Sequence, residues 1–146
     1  SRNLDRVGGY IHAALPISAD ENGDDAGDYL VRNVVGIDPD SGLVAIGERI
    51  AEGDGVMFVR RDGPSAAEDL NRMLSDVTGR AGRPAKAALY YSCVARGPNL
   101  FGPDSEELKS VQAALGADVP LVGFFANGEI SKNRLYGYTG VLTLIL

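Results

Sequence analysis

Apolar residues recur along this chain with two different periods. The runs "YLVRNVVGI" (residues 29–37) and "LVAIGERI" (43–50) are rich in β-branched residues and flank "DPDSG", where Pro39 and Gly42 punctuate a turn, so together they predict a hairpin. "VGGYIHAALPI" (7–17) predicts a strand before it, and "GDGVMFVRRDG" (53–63) a strand after it that ends at Gly63 and Pro64. Beyond that proline the period lengthens. Leu70, Met73, Leu74 and Val77 stand at i, i+3, i+4 and i+7, the stripe of a helix lying on a sheet, with Ser65 and Glu68 as a capping box and Gly79 with "GRP" as the stop.

"KAALYYSCV" (86–94) is continuously apolar, as a strand covered on both faces is. A second helix follows in "GPDSEELKSVQAALGADVP" (102–120). Asp104 and Glu107 mark its start, Leu108, Val111 and Leu115 its buried stripe, and Gly116 with Pro120 its end. "LVGFFANGEI" and "RLYGYTGVLTLIL" then predict two closing strands with a turn between them. The order predicts one α+β domain over residues 1–146, with two main helices on a single mixed, largely antiparallel sheet. Hairpins at both ends favour antiparallel pairing, while the β-α-β-α-β middle suits parallel crossovers. Strand order stays open.

Composition narrows the function. A chain of 146 residues, 45% hydrophobic and 23% charged, has room for a folded core. Its net charge of -6 argues against nucleic acid and anionic membranes, because phosphate binding wants clustered Lys and Arg. No apolar run reaches the roughly 18 residues of a membrane span, and the opening "SRNLDRVGGY" lacks a signal-peptide core, so a cytoplasmic protein is expected. One cysteine leaves no intramolecular disulfide or cysteine-rich zinc site, one histidine weakens any transition-metal reading, and no cofactor is implied. "SADENGDDAGD" (18–28) reads as an acidic surface loop. Counted from Asp20, the sixth position is Asp25, where a calcium loop requires glycine.

The chemistry concentrates where the sixth predicted element stops. Cys93 lies near the end of "LYYSCV", and "ARGPNLFG" leaves that strand as a glycine- and proline-bearing loop. Strand ends that feed such loops are where open α/β sheets place ligands. Arg96 is a permanently charged donor suited to a carboxylate or phosphate. "GFFANGEI" ends the next strand similarly, with Glu129 after an Asn127-Gly128 turn. If the two strands are neighbours, Cys93, Arg96 and Glu129 share one pocket; alternatively Cys93 is a small buried hydrophobe, and Arg96 pairs with Glu129.

The segments "YLVRNVVGID", "YYSCVARG", the acidic helix, "VPLVGFFANGEI" and "YGYTGVLTLIL" together resemble the C-terminal domain of FIST proteins. The resemblance covers nearly the whole chain and rests most specifically on residues 92–97 (Ser-Cys-x-x-Arg-Gly) and 123–130 (Gly-Phe-x-x-x-Gly-Glu-Ile). It implies a small-ligand-binding sensory module of intracellular signal transduction, with ligands such as amino acids and an N-terminal FIST domain preceding this one in the intact chain. Cys93, Arg96 and Gly97 match the first motif, Glu106 or Glu107 the acidic helical position, and Gly128 with Glu129 the second. Where a polar pair is expected before the last strand, this chain has Gly137 and Tyr138.

The expected ligand-binding set is therefore Cys93, Arg96, Gly97, Glu107, Phe125, Gly128 and Glu129. Arg96 would hold an anionic group and Glu129 a cationic one, as a zwitterion requires, while Cys93 with Tyr91, Phe124 or Phe125 would shape the wall. Glu107 has a plainer alternative, offsetting the helix dipole in the first turn. A thiol enzyme or redox-reactive protein would use Cys93 as nucleophile, but the only histidine to activate it is His12, far away in sequence. A third reading makes the chain a structural partner of the N-terminal domain. Oligomeric state is left open.

Overall fold

The computed structural model describes residues 10–17 and 29–146. The acidic segment at 18–28 and the chain opening lie outside the described residues. The chain forms two compact units that divide between Arg61 and Asp62.

The first unit is an antiparallel sheet. Its strands are β1 (Ile11–Pro16), β2 (Tyr29–Asp38), β3 (Leu43–Ile46) and β4 (Met57–Arg60), in the order β3-β2-β1-β4. The expected hairpin is β2–β3. Asp38 closes its turn by accepting from the backbone N–H of Asp40 at 3.1 Å, and Gly42 supplies the left-handed residue at φ 71°. A bulge between Val34 and Gly36 breaks the regular register of that pair. Central β1 pairs with both β2 and β4, and its His12, Ala13 and Ala14 are buried.

The second unit holds the helices. α1 (Gly63–Ala81) begins at Asp62, whose carboxylate accepts from the Ser65 backbone N–H at 3.0 Å. The cap thus falls three residues before the expected capping box, because Pro64 suits the first helical turn and Asp62 precedes it. The helix also runs through Gly79 and stops at Gly82, which adopts the left-handed conformation. Leu70 and Leu74 are buried as the stripe requires. After β5 (Ala87–Cys93) come the single turn α2 (Pro98–Phe101) and α3 (Glu106–Leu115).

The two expected closing strands are four: β6 (Leu121–Ala126), β7 (Glu129–Ser131), β8 (Arg134–Tyr136) and β9 (Gly140–Ile145). Backbone geometry divides them. Gly128 at φ 125° separates β6 from β7, and Tyr138 at φ 66° separates β8 from β9. β5 lies centrally in the order β6-β5-β9, parallel to β6 and antiparallel to β9, while β7 and β8 form a separate hairpin. The α+β class holds, and the strands of the described residues fall into three sheets rather than one.

Register assigns the two faces of the β6-β5-β9 ladder. Ala88, Tyr90 and Ser92 of β5 are buried and share a face with Leu121 and Leu142. Leu70, Leu74, Tyr90 and Val111 form the core there, with Met73, Phe101, Leu115, Leu121 and Leu142 packed against it. The opposite face carries Val122, Phe124, Val141 and Ile145, all more than 40% exposed. So the helices cover one side of this ladder and leave the other open.

No helix of the described residues is long and apolar enough to cross a membrane. In the first unit, burial and the nearby Arg61 charge hold the His12 imidazole below its ordinary value of 6.5. The unfolded chain therefore binds this proton more readily, and stability present above about pH 6.5 is lost as the pH falls through that value toward the folded one. We expect the urea midpoint to drop between about pH 7.5 and about pH 5.5, and His12→Gln to flatten that drop. An unchanged pH slope in the variant would show that other groups carry it.

Candidate functional site

The site begins with strand alternation. Tyr90 and Ser92 are two apart on β5 and point to the helix-covered face. Glu107 enters the same face from the first turn of α3, one turn before the buried Val111. Its side chain is only 5% exposed. Taking a carboxylate out of water requires strong partners, and it has four. The Tyr90 hydroxyl donates to Oε1 at 2.8 Å and the Arg96 Nε to the same oxygen at 2.6 Å. The Ser92 hydroxyl donates to Oε2 at 3.0 Å and the Gly97 backbone N–H at 3.1 Å. Burial keeps the Tyr90 phenol well above its ordinary value of 10.0, so it stays protonated and donates.

Arg96 is fixed as firmly. Its side chain is 11% exposed, its Nη1 donates to the Tyr138 carbonyl at 3.3 Å, and its guanidinium lies 4.9 Å over the Phe101 ring. Glycines make this cluster possible. A Cβ on Gly140 would meet the Tyr90 hydroxyl at 2.5 Å, and one on Gly123 would meet the Tyr90 carbonyl oxygen at 1.7 Å. Both neighbours of Tyr90 must therefore lack side chains. Gly97 has φ 51°, and a Cβ there would lie 2.7 Å from Phe125 Cζ, so the ring rests directly on the loop backbone.

Beside the cluster opens a cleft of about 400 Å³. Gly97 and Pro98 form one rim, Ser105, Glu107 and Leu108 another, and β6 from Leu121 to Phe125 the floor. Glu107 is the one charged residue in this lining among the described residues.

The chain matches the FIST C domain over residues 5–132. It belongs to that family. FIST C domains are sensory domains associated with signalling, and the match in this one runs across both compact units. An uncharacterized protein of Mycobacterium tuberculosis is 34% identical over 124 residues, covering 82% of this chain and 32% of its own. An uncharacterized protein of Mycobacterium bovis is 33% identical over 124 residues with the same coverage. This FIST C domain thus spans about a third of the length of the curated relatives it matches. No solved structure matches it.

The expected residues fall into two groups. Arg96, Gly97 and Glu107 meet in one hydrogen-bonded cluster, and Phe125 packs on Gly97. Glu129 stands apart from Glu107 on β7, where the Thr139 hydroxyl donates to its Oε2 while its Oε1 is buried without a hydrogen-bond partner among the described residues. Arg96 takes Glu107 as its ion-pair partner, and no ion pair joins it to Glu129. The two sides still converge on one segment: Arg96 holds the Tyr138 carbonyl, Thr139 holds Glu129, and the Cys93 backbone N–H donates to the Thr139 carbonyl at 2.9 Å. Where a polar side-chain pair was expected, the 138–139 backbone supplies the acceptors. Gly128 provides the φ of 125° that starts β7. Cys93 is buried, with its thiol free, and the sole histidine lies in the first unit.

Sequence reasoning missed Tyr90, Ser92, Ser105 and the glycine at 140. One signal was available: Glu107, Val111 and Leu115 are four apart, so Glu107 shares the apolar stripe. Leu108, expected in that stripe, is 45% exposed on the cleft side. The neighbouring Glu106 does the ordinary surface work, pairing with Lys109 at 2.8 Å.

Removing one partner of a buried pair leaves the other charge uncompensated. Glu107→Ala is expected to destabilise by about 3–5 kcal/mol, whereas Glu106→Ala changes stability by no more than about 0.5 kcal/mol. Urea unfolding of the two variants checks this, and equal losses would contradict the buried cluster. Gly97→Ala is expected to cost about 1–3 kcal/mol through backbone strain and the Phe125 contact. In a Phe125→Leu background that cost should shrink, and strict additivity would show that the ring is not the obstacle.

Proposed function

We propose that this FIST C domain is a small-ligand-binding sensory module whose ligand occupies the cleft between the 97–98 loop, the start of α3 and β6. The observation that carries the reading is the cleft's construction: about 400 Å³, mostly apolar walls, and a few polar side chains, Tyr90, Ser92, Ser105 and Glu107, among them. Small-molecule sites share those features and run roughly 300–1,000 Å³. The position also fits the chemistry of the segments at 93–97 and 123–130, because Gly97 and Phe125 both line it.

Sensing requires that the ligand bind two conformations unequally. The cleft is suited to that. Its lining residue Glu107 is tied through Arg96 to Tyr138, and Tyr138 holds a strained φ of 66° just before β9. A ligand pressing on the Gly97 loop acts on the same hydrogen-bonded network that reaches the 138–139 segment. Binding is favoured over thiol catalysis because Cys93 is buried and makes hydrogen bonds only through its backbone.

Screening the purified chain against small metabolites by thermal shift tests this reading, with Leu108→Trp as the control. Leu108 is half-exposed on the cleft rim, so tryptophan fills the space without entering the core. A dose-dependent rise in melting temperature in the parent that disappears in Leu108→Trp is expected. A rise that persists unchanged in the variant would move the ligand out of this cleft.

A further inference from the structure

We infer that the cleft takes a short extended peptide, which adds to the outer edge of β6 as a further strand. The inference rests on the cleft being the ligand site and names the class of ligand that fits it.

The lining carries the cleft past the sheet face to a strand edge. Side chains of consecutive strand residues alternate between faces, yet Leu121, Val122, Gly123, Phe124 and Phe125 all line the one cavity. Leu121 packs against the core, whereas Val122 and Phe124 belong to the open face, where they are 61% and 66% exposed. What residues of both faces share is the strand backbone, and its inner side is taken by β5. The cavity therefore reaches the outer edge of β6. Gly97, Pro98, Ser105 and Leu108 form the walls across from it. A groove bounded by an edge strand and the start of a helix is a setting suited to strand addition.

The backbone at that edge points outward. The Ala88 N–H donates to the Pro120 carbonyl and the Val94 N–H to the Ala126 carbonyl, each at 2.8 Å. In a regular ladder the backbone groups of every second residue face the partner strand. Those of 120, 122, 124 and 126 thus serve β5, and the N–H and C=O of Leu121, Gly123 and Phe125 turn to the outer edge. β6 ends the order β6-β5-β9, with no further strand on that edge among the described residues. Gly123 is exposed, and having no side chain it shows solvent its backbone. Alternating donors and acceptors so presented over about 13 Å, the run from 121 to 125, are a template for another extended chain. A compact molecule leaves most of them unmatched.

The walls suit the side chains of such a peptide. One alternate set turns toward Pro98 and the half-exposed Leu108, and the other lies beside Val122 and Phe124, where apolar and aromatic cross-strand pairs are stabilising. Proline is excluded at the pairing positions because it has no N–H to donate.

Capped pentapeptides of Val, Leu, Phe, Thr and Gly are screened against the purified chain by thermal shift, and the strongest binder is titrated calorimetrically. Binding is expected in the parent and lost in Leu108→Trp. Methylating the peptide nitrogens one at a time should weaken binding about 10-fold or more at alternate residues and little at those between, because every second N–H pairs with β6. On the protein, amide exchange at Gly123 and Phe125 should slow on saturation by at least about 10-fold more than at Val122 and Phe124, which β5 already holds. Methylation that acts alike at every residue, or Gly123 and Phe125 amides that gain no extra protection, overturns strand addition. If no pentapeptide binds while small metabolites still bind the parent and not Leu108→Trp, the peptide is overturned and the cleft stands. Peptide binding that survives Leu108→Trp overturns the cleft as well, and binding of neither class overturns both.

Discussion

A carboxylate taken out of water needs strong donors, and Glu107 has four, drawn from β5 and from the loop that follows it. β5 contributes Tyr90 and Ser92, the following loop contributes Arg96 and the Gly97 N–H, and α3 brings the carboxylate itself. None of these pieces can move independently without stranding a buried charge. The shape of the second unit around the cleft follows from that constraint. The loop after β5 is drawn back over the ladder, α3 starts where its second residue can reach inward, and Phe125 settles on the glycine that the loop presents.

The same constraint explains the unusual backbone near the cluster. Asp104 and Ser105 take positive φ values of 64° and 60° immediately before α3, a conformation that non-glycine residues adopt at some cost. Ser105 does not cap the helix with its side chain. Ordinary helix-start chemistry has been given up there, and what the chain obtains in exchange is the direction of Glu107. Gly123 and Gly140 tell a similar story from the strands, where ordinary side chains would favour pairing but would collide with Tyr90.

Function follows from what the cluster leaves unused. Its buried carboxylate is held by four donors, and the cleft beside it is lined mainly by apolar side chains. A sensory family needs a site whose occupancy is felt elsewhere. The Arg96 contact to the Tyr138 carbonyl provides a physical connection from that cleft to the segment shared by Cys93, Thr139 and Glu129.

Local pattern determined the elements. Periodicity marked β2 and β3 with their turn and the α1 stripe of Leu70 and Leu74, because these depend on neighbours within a few residues, whereas β5, expected to be covered on both faces, is covered by helices on one. The motif at 92–97 and the acidic helix were legible as the place where chemistry gathers. Partners were not. Whether Arg96 meets Glu107 or Glu129 depends on how α3 and β7 are placed after folding, and both acids follow it within 33 residues of chain. The division of the strands into three sheets likewise depends on pairings distant in sequence, such as Tyr91 with both Phe124 and Val141. Sequence supplied an arginine, a cysteine and two candidate acids; tertiary structure decided which carboxylate is buried, because only packing determines which one loses its water.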